Sequence, residues 1–392
     1  MRVLHLVPYY APAWGFGGVV RAVHGLAGAL AAQGHAVTVL TTDAGDRGQR
    51  LPVREEMLDG VRVLRCRNLL PVLRKLNLSS PVGMGAVLRS ILADTDILHL
   101  HEFRTVENLW ALMLARHGSP PVVLSPHGTL GYGAGRRWIK RGWDALAGRW
   151  SARRIDHVAA LTADEAAEAR ALWQQFGLAL PDGAVSVIPN GVDAAEFAVL
   201  PPAGSFRERW RIPSQAPLVL FMGRLHRRKG VHLLVEMLAL LPQAWLAVVG
   251  PDEGELAGLQ ALVQQRRVAD RVVFTGLLTG VDKLAALADA TVLALPAVGE
   301  GLPMVVLEAM VAGLPVAISD ECHLPEVIQA GAGVRLEPLE AAAIAAALGP
   351  VLADPAQRES MGRAAQALVA DRFTWERVAA AMTAVYQRLQ RG

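Results

Sequence analysis

Short apolar, β-branched runs alternate with Ala- and Leu-rich stretches of helical length along most of this chain, and that rhythm constrains the fold more than any other feature. Strand candidates are 2–7, 36–41, 61–65, 96–101, 121–126, 157–161 and 185–188, then 217–222, 245–250, 271–275, 291–295, 315–319 and 333–336. A strand that is apolar from end to end is covered on both faces, as in parallel sheets flanked by helices. The rhythm pauses between Asp193 and Pro217, where Pro201, Pro202, Gly204 and Pro213 mark a linker. The pattern therefore predicts an α/β chain with two doubly wound domains, 1–198 and 199–373, and an amphipathic helix over 374–392 that crosses back to the first. Ligands of such sheets bind at the carboxyl ends of the strands, so the motifs are expected to gather in the cleft between the domains.

Composition narrows the class. At 392 residues the chain suits two cores better than one. With 52% hydrophobic and 19% charged residues it is globular, and a net charge of +3 gives no argument for nucleic acid. Two cysteines, Cys66 and Cys322, supply neither a zinc cluster nor a disulfide framework and favour a reducing, cytoplasmic setting. Pro8 and Pro12 interrupt any signal-peptide core, and the charge-free stretch between Glu236 and Asp252 is broken by Pro242 and too short for a bilayer. The expectation is a soluble protein or one that lies on a membrane.

The chemistry points to Gly299-Glu300-Gly301-Leu302-Pro303-Met304-Val305-Val306-Leu307-Glu308. Glu300 falls in a glycine-bounded loop and Glu308 in an apolar helical run, with Pro303 suited to the first helical position. A helix start favours anions, and eight helical residues span roughly 12 Å, the scale of a nucleotide sugar. Upstream, Gly223-Arg224-Leu225-His226-Arg227-Arg228-Lys229-Gly230 follows a predicted strand and offers cations for a pyrophosphate; the alternative is a solvated basic loop. Glu308 interrupts an apolar run, and a buried carboxylate needs a partner; the hydroxyls of a ribose would serve. A basic loop paired with Glu-x7-Glu points to sugar transfer.

In the first half, Gly15-Phe16-Gly17-Gly18-Val19-Val20-Arg21 follows a strand and opens a helix, where glycine lets backbone approach a phosphate or sugar. An ordinary strand–helix turn is the other reading. Asp96-Ile97-Leu98-His99-Leu100-His101-Glu102 places two histidines on one strand face. With no third ligand evident nearby, hydrogen-bonded burial is expected over a metal site. Ser125-Pro126-His127-Gly128-Thr129 closes the next strand and aims His127 at the same cleft, where it can donate a hydrogen bond or orient a hydroxyl. The run from Arg136 to Arg154 interleaves seven cations with Trp138, Trp143 and Trp150 against one acid, Asp144. It reads either as an interfacial helix drawn to anionic lipid or as a solvated helix with structural tryptophans.

In combination these residues resemble the family 4 (group 1) glycosyltransferases of GT-B fold over essentially the whole chain. The resemblance rests on Gly17-Gly18, His127-Gly128, Ile188-Pro189-Asn190-Gly191-Val192-Asp193, Gly223-Arg224 to Lys229-Gly230, Val249-Gly250-Pro251 and Phe274-Thr275-Gly276. It is completed by Glu300-x7-Glu308, Ala312-Gly313-Leu314-Pro315-Val316, Pro325-Glu326-Val327 and Phe373-Thr374-Trp375-Glu376. It implies transfer of a hexose from a nucleotide sugar to a saccharide or lipid-linked saccharide, with retention and with no metal or other cofactor. By resemblance Arg224 and Lys229 hold the diphosphate, Glu308 the ribose and Glu300 the donor sugar. His127 lines the reaction centre, and Gly17 and Gly18 approach the donor from the facing domain. Similar bacterial enzymes build cell-surface polysaccharides. The stretches 42–60 and 66–90 are expected to shape the acceptor site.

The chain departs from the family pattern in two places. Leu302-Pro303 stands where Phe-Gly is usual, so a phosphate there must rely on the amides of Gly301 and Leu302. Glu321-Cys322-His323-Leu324 replaces a glycine-rich approach to Pro325-Glu326-Val327. A sugar-nucleotide epimerase of the same architecture is the main rival, since His99, His101 and Glu102 could act as acid and base.

Overall fold

A computed structural model describes residues 1–45, 49–70, 73, 78–115, 120–132 and 137–391. Arg136 of the basic tryptophan run, and parts of the 42–60 and 66–90 stretches, lie outside the described residues. The chain divides into two compact units: Met1–Gly191 together with Trp375–Gly392, and Val192–Thr374. The division falls just before the proline-rich pause, whereas the sequence placed it at 198; the pause itself holds a short helix, Ser205–Trp210.

The first unit carries β1 (Arg2–Leu6), β2 (Ala36–Thr42), β3 (Glu55–Leu58), β4 (Val61–Asn68), β5 (Pro81–Val82), β6 (Ile97–His101), β7 (Val122–Ser125), β8 (His157–Ala160) and β9 (Val185–Val187). Their order is β3-β4-β2-β1-β6-β7-β8-β9, with β5 on β4. β3 and β5 run antiparallel to β4; the other pairs are parallel. β3 and β5 were not expected from the sequence: Glu55-Glu56-Met57-Leu58 is half charged and Pro81-Val82 is very short, so neither shows an apolar run. Both lie beside β4, where a polar or short strand guards the sheet margin.

β6 is buried at all five positions even though two are histidines, because helices cover both of its faces. The last helix, Trp375–Arg391, completes this unit, packing on the helix Gly18–Ala32. The Trp375 ring fills the space over Gly25, where a Cβ would come within 2.1 Å of it.

The second unit holds β10 (Leu218–Met222), β11 (Trp245–Val249), β12 (Val272–Gly276), β13 (Val292–Leu295), β14 (Val316–Ile318) and β15 (Gly333–Arg335), all parallel, in the order β12-β11-β10-β13-β14-β15. Counted within the unit, that is 3-2-1-4-5-6, the dinucleotide-binding order, whose strand direction of progression reverses between its first and fourth strands. The reversal puts the loops after β10 and β13 side by side. In the first unit the corresponding point lies between β1 and β6.

Candidate functional site

In the second unit the loop after β10 turns back under Gly223 and Gly230. Gly230, at φ +71°, leaves no room for a side chain: a Cβ would sit 2.1 Å from the Pro296 carbonyl oxygen. This close approach brings Lys229 against the loop after β13, where its Nζ donates to Glu300 Oε2 at 2.7 Å. Both side chains are mostly buried, at 17% and 14% exposure. The Lys229–Glu300 pair thus straddles the switch point. Arg228 fixes the same seam: its carbonyl accepts from Val298 N–H at 2.7 Å and its guanidinium donates to the Val298 carbonyl at 3.1 Å and to that of Gly299. Arg224 stands farther out, half exposed, with Nη1 on Glu253 Oε1 at 2.7 Å.

Pro303 is the N-cap of the helix Met304–Val311 and does not occupy its first turn, as the sequence had suggested. Glu300 to Leu302 are therefore loop, and the 12 Å helical span between the two glutamates does not apply. The loop is instead pinned by Glu321, whose carboxylate accepts from Gly299 N–H at 3.0 Å and whose carbonyl accepts from Glu300 N–H at 3.2 Å. The divergent stretch before Pro325 supplies that anchor. Its neighbour Glu326 pairs with Arg372 at 3.4 Å. The amides of Gly301 and Leu302 make no hydrogen bond among the described residues, leaving two donors next in the chain to Glu300.

Glu308 is buried, with 9% side-chain exposure, and its partner is a lysine. Lys283 Nζ, on the helix Gly280–Asp289, lies 3.4 Å from Glu308 Oε1 and 2.8 Å from Glu196 Oε1. Sequence reasoning looked for ligand hydroxyls and missed Lys283. The available signal was an isolated lysine inside Val281-Asp282-Lys283-Leu284-Ala285-Ala286, an amphipathic segment whose buried face includes position 283.

The first unit gathers imidazoles where the second gathers ion pairs. His5 on β1 lies opposite His99 on β6, and His99 and His101 share a face with rings stacked at 4.4 Å. His5 Nδ1 lies 2.8 Å from His101 Nε2, and His101 Nδ1 lies 2.9 Å from His127 Nε2. A second branch runs from Tyr386 Oη to His99 Nδ1 at 2.6 Å and from His99 Nε2 to Ser125 Oγ at 2.8 Å.

His5, His99 and His101 present ligand atoms within 4.8 Å of one another, so a third histidine does exist, 94 positions upstream of His99. Every ring nitrogen of the three except His5 Nε2 already has a partner at hydrogen-bond distance. The cluster is a hydrogen-bonded network. Burial lowers His5 to about 3 and His127 to about 4, and holds His99 and His101 well below the usual imidazole range, with neighbouring imidazoles adding to the effect. All four are neutral near pH 7.

His127 itself takes φ +55°, a left-handed turn that a following glycine, Gly128 at φ +73°, continues. The Gly128 amide donates to Glu165, which also accepts from Leu161 N–H at 2.6 Å. Glu102, at φ +60°, is pushed up to about 7 by burial. Gly17 caps the helix Gly18–Ala32 at φ +99° after a turn at Trp14–Phe16, and a Cβ there would meet nothing within 4 Å; backbone conformation, not crowding, calls for glycine.

Comparison with known proteins now decides the class. Residues 204–368 match the family described as Glycosyl transferases group 1, and residues 16–196 match Glycosyltransferase Family 4. A glycogen synthase of Mycobacterium tuberculosis is 30% identical over 100% of this chain and 96% of its own. The chain is a group 1, family 4 glycosyltransferase.

A GDP-mannose-dependent alpha-(1-6)-phosphatidylinositol monomannoside mannosyltransferase of Mycolicibacterium smegmatis is 32% identical to this glycosyltransferase over 66% of the chain and 68% of that protein. Among solved structures, a sucrose-phosphate synthase from Thermosynechococcus elongatus superposes with a TM-score of 0.78 at 23% identity, covering 99% of both chains. HepE of Anabaena, solved with UDP-glucose, gives 0.74 at 19% identity over 99% of this chain and 100% of its own. These likenesses show the fold: GT-B, with two Rossmann-like domains. Among the described residues no helix is long and apolar enough to cross a membrane.

Proposed function

We propose that this glycosyltransferase moves a hexose from a nucleotide sugar to a hydroxyl acceptor, with retention of anomeric configuration and without a bound metal, in the assembly of a surface polysaccharide or glycolipid. The observation that carries the reading is the Lys229–Glu300 pair at the switch point of a 3-2-1-4-5-6 sheet. An ammonium keeps two further donors after meeting one carboxylate, and the unpaired amides of Gly301 and Leu302 lie in the same loop. Together with the half-exposed Arg224 they form a cradle for a diphosphate. Glu300 then accepts from donor sugar hydroxyls, and Glu308 reads the ribose.

In the transfer, the bond from the anomeric carbon to the diphosphate oxygen breaks and its electron pair stays with the diphosphate, whose growing charge Arg224 and Lys229 offset. The acceptor oxygen bonds to that carbon on the same face, and its proton passes to the departing diphosphate oxygen. Within the first unit, His127, neutral and bonded to His101, is the hydrogen-bond partner offered to a substrate hydroxyl, and Gly17 and Gly18 offer backbone to a sugar or phosphate. Incubation with labelled nucleotide sugars tests the reading: label moving to an acceptor as the α-anomer from an α-linked donor supports it, and a freed, isomerised sugar defeats it. Support for the epimerase reading weakens because His99 and His101 are fully buried and bonded to protein groups, leaving Glu102 alone of its three candidates.

The basic tryptophan run bears on location. Trp138 and Leu146 are exposed at 78% and 90%, flanked by exposed Arg137, Arg141, Arg149 and Arg153, while Asp144 is buried on Arg104 at 2.7 Å and Tyr132 at 2.7 Å. The acid is thus turned inward and the outward face is cationic and apolar. That arrangement supports peripheral binding to an anionic membrane, tested by salt-sensitive flotation with anionic vesicles.

A further inference from the structure

One cavity of the first unit has no part in the chemistry above. It lies at the carboxyl ends of β2 and β4, has a volume of about 260 Å³, and is lined by Arg50, Arg54, Arg65, Arg67 and Asp43, with Leu51 and Pro52 as an apolar wall. That size falls just below the roughly 300–1,000 Å³ of pockets that enclose drug-sized ligands; it suits a small charged group and part of what bears it.

The acids around it are already engaged. Asp43 takes Arg50 at 2.8 Å and the Asn68 amide at 2.8 Å; Glu56 takes Arg65 at 2.6 Å; Glu55 takes Arg62 at 2.8 Å. Arg54 and Arg67 are exposed, and among the described residues their side chains make neither an ion pair nor a hydrogen bond. Arg65 is buried, with its Nε lacking any partner. Among the described residues, two guanidinium groups without an acidic partner therefore face one small cavity. They match a phosphate, with its two charges and three acceptor oxygens, better than a carboxylate.

The place of the cavity fits a substrate. It opens on the carboxyl-end side of the sheet, beside β2, the neighbour of β1 at the reversal point. Arg65 Nη2 also donates to the Ala11 carbonyl at 2.8 Å, tying the cavity to the loop that leads from β1 to Gly17. We propose that Arg54 and Arg67, over a wall made by the ion-paired Arg65, bind a phosphate group carried by the acceptor, so that the acceptor is either a phosphorylated sugar or a saccharide attached next to a lipid phosphate. The acceptor role rests on the glycosyl-transfer reading; the phosphate site does not.

Calorimetric titration of the full chain tests the site with inorganic phosphate, glucose 6-phosphate and glucose as probes. The two phosphates bind and glucose does not. Arg54→Gln and Arg67→Gln each weaken binding about ten- to a hundredfold, as expected for a hydrogen bond to a charged group. Lys229→Gln, in the other unit, leaves the arginine-dependent binding within about twofold. Unchanged phosphate binding in the Arg54→Gln/Arg67→Gln double variant, with its melting curve intact, overturns the site.

Sedimentation with phosphatidylinositol or phosphatidylcholine vesicles separates the two sources. Arginine-dependent binding to phosphatidylinositol vesicles alone assigns the phosphate to a lipid headgroup, and binding of glucose 6-phosphate alone assigns it to a free sugar phosphate. Should phosphate bind through these arginines while no phosphorylated sugar or lipid accepts label from any nucleotide sugar, the acceptor role falls and the phosphate site stands.

Discussion

The two units share a sheet plan and fill its reversal point in opposite ways. Between β10 and β13 the second unit sets charges against each other, Lys229 on Glu300, with Lys283 on Glu308 in a neighbouring helix pair. Between β1 and β6 the first unit sets neutral rings against each other, from His5 through His101 to His127. An ion pair can be opened and shared with an incoming anion, because each partner keeps unused donors or acceptors. A chain of uncharged imidazoles buried in a sheet has almost none left over; it holds a shape. One region is built to exchange partners and the other to keep them.

That contrast predicts its own order of sensitivities. The largest effect is expected at Lys283→Met, which strands Glu308 in the interior: breaking a buried pair from one side costs about 3–5 kcal/mol, read as a lower urea midpoint. A midpoint equal to the parent's shows that Glu308 needs no partner. Next, Lys229→Ala lowers kcat/KM on the order of 10²–10³-fold, the usual loss for one electrostatic donor, with the fold intact by circular dichroism. Full turnover would remove Lys229 from the diphosphate.

Smaller still is Tyr386→Phe, which deletes the hydroxyl on buried His99 and costs about 1–3 kcal/mol with kcat little changed. A large kcat loss at equal stability would make the ring network part of the chemistry.

Acid should then act on the first unit through its buried histidines. His5 and His127 have folded values of about 3 and about 4, below the unfolded 6.5, and burial lowers His99 and His101 too, so at these groups the unfolded chain binds more protons below about pH 6.5. The histidines' contribution is complete above about pH 6.5 and declines as pH falls toward 4, while Glu102, raised to about 7, opposes it by favouring the folded unit as pH falls from 7. Calorimetric scans with a His5→Asn, His99→Asn variant check this, since a slope equal to the parent's would place the acid sensitivity elsewhere. The smallest expected effect is from EDTA, which should leave transfer nearly intact because Arg224 and Lys229 carry the compensating charge; activity that vanishes and returns with magnesium would end that expectation.

The fold was legible because each parallel strand is covered on both faces and must be apolar throughout. Leu218-Val219-Leu220-Phe221-Met222 could be read as such, and was, within a residue of its bounds. β3 escaped because Glu55 and Glu56 face arginines on a sheet margin and leave no apolar trace. In the second unit the strand–loop grammar pointed to Lys229 and Glu300, since both lie in the loops that follow strands. Lys283 and Glu321 were hidden: each supports the site from a separate element, and only the folded sheet brings them within reach. His5 was hidden for the same reason, being a single histidine in a strand 94 positions from the pair it completes. Local pattern reveals what a strand end offers, and tertiary pairing decides what holds it there.

The helix Trp375–Arg391 belongs to the unit that the chain begins with. A growing polypeptide usually matures from its first residues onward, yet here Trp375 over Gly25 and Tyr386 against His99 come from a segment more than 180 residues beyond the rest of their unit. Until that helix docks, the first unit's imidazole cluster lacks the Tyr386 hydroxyl that caps His99.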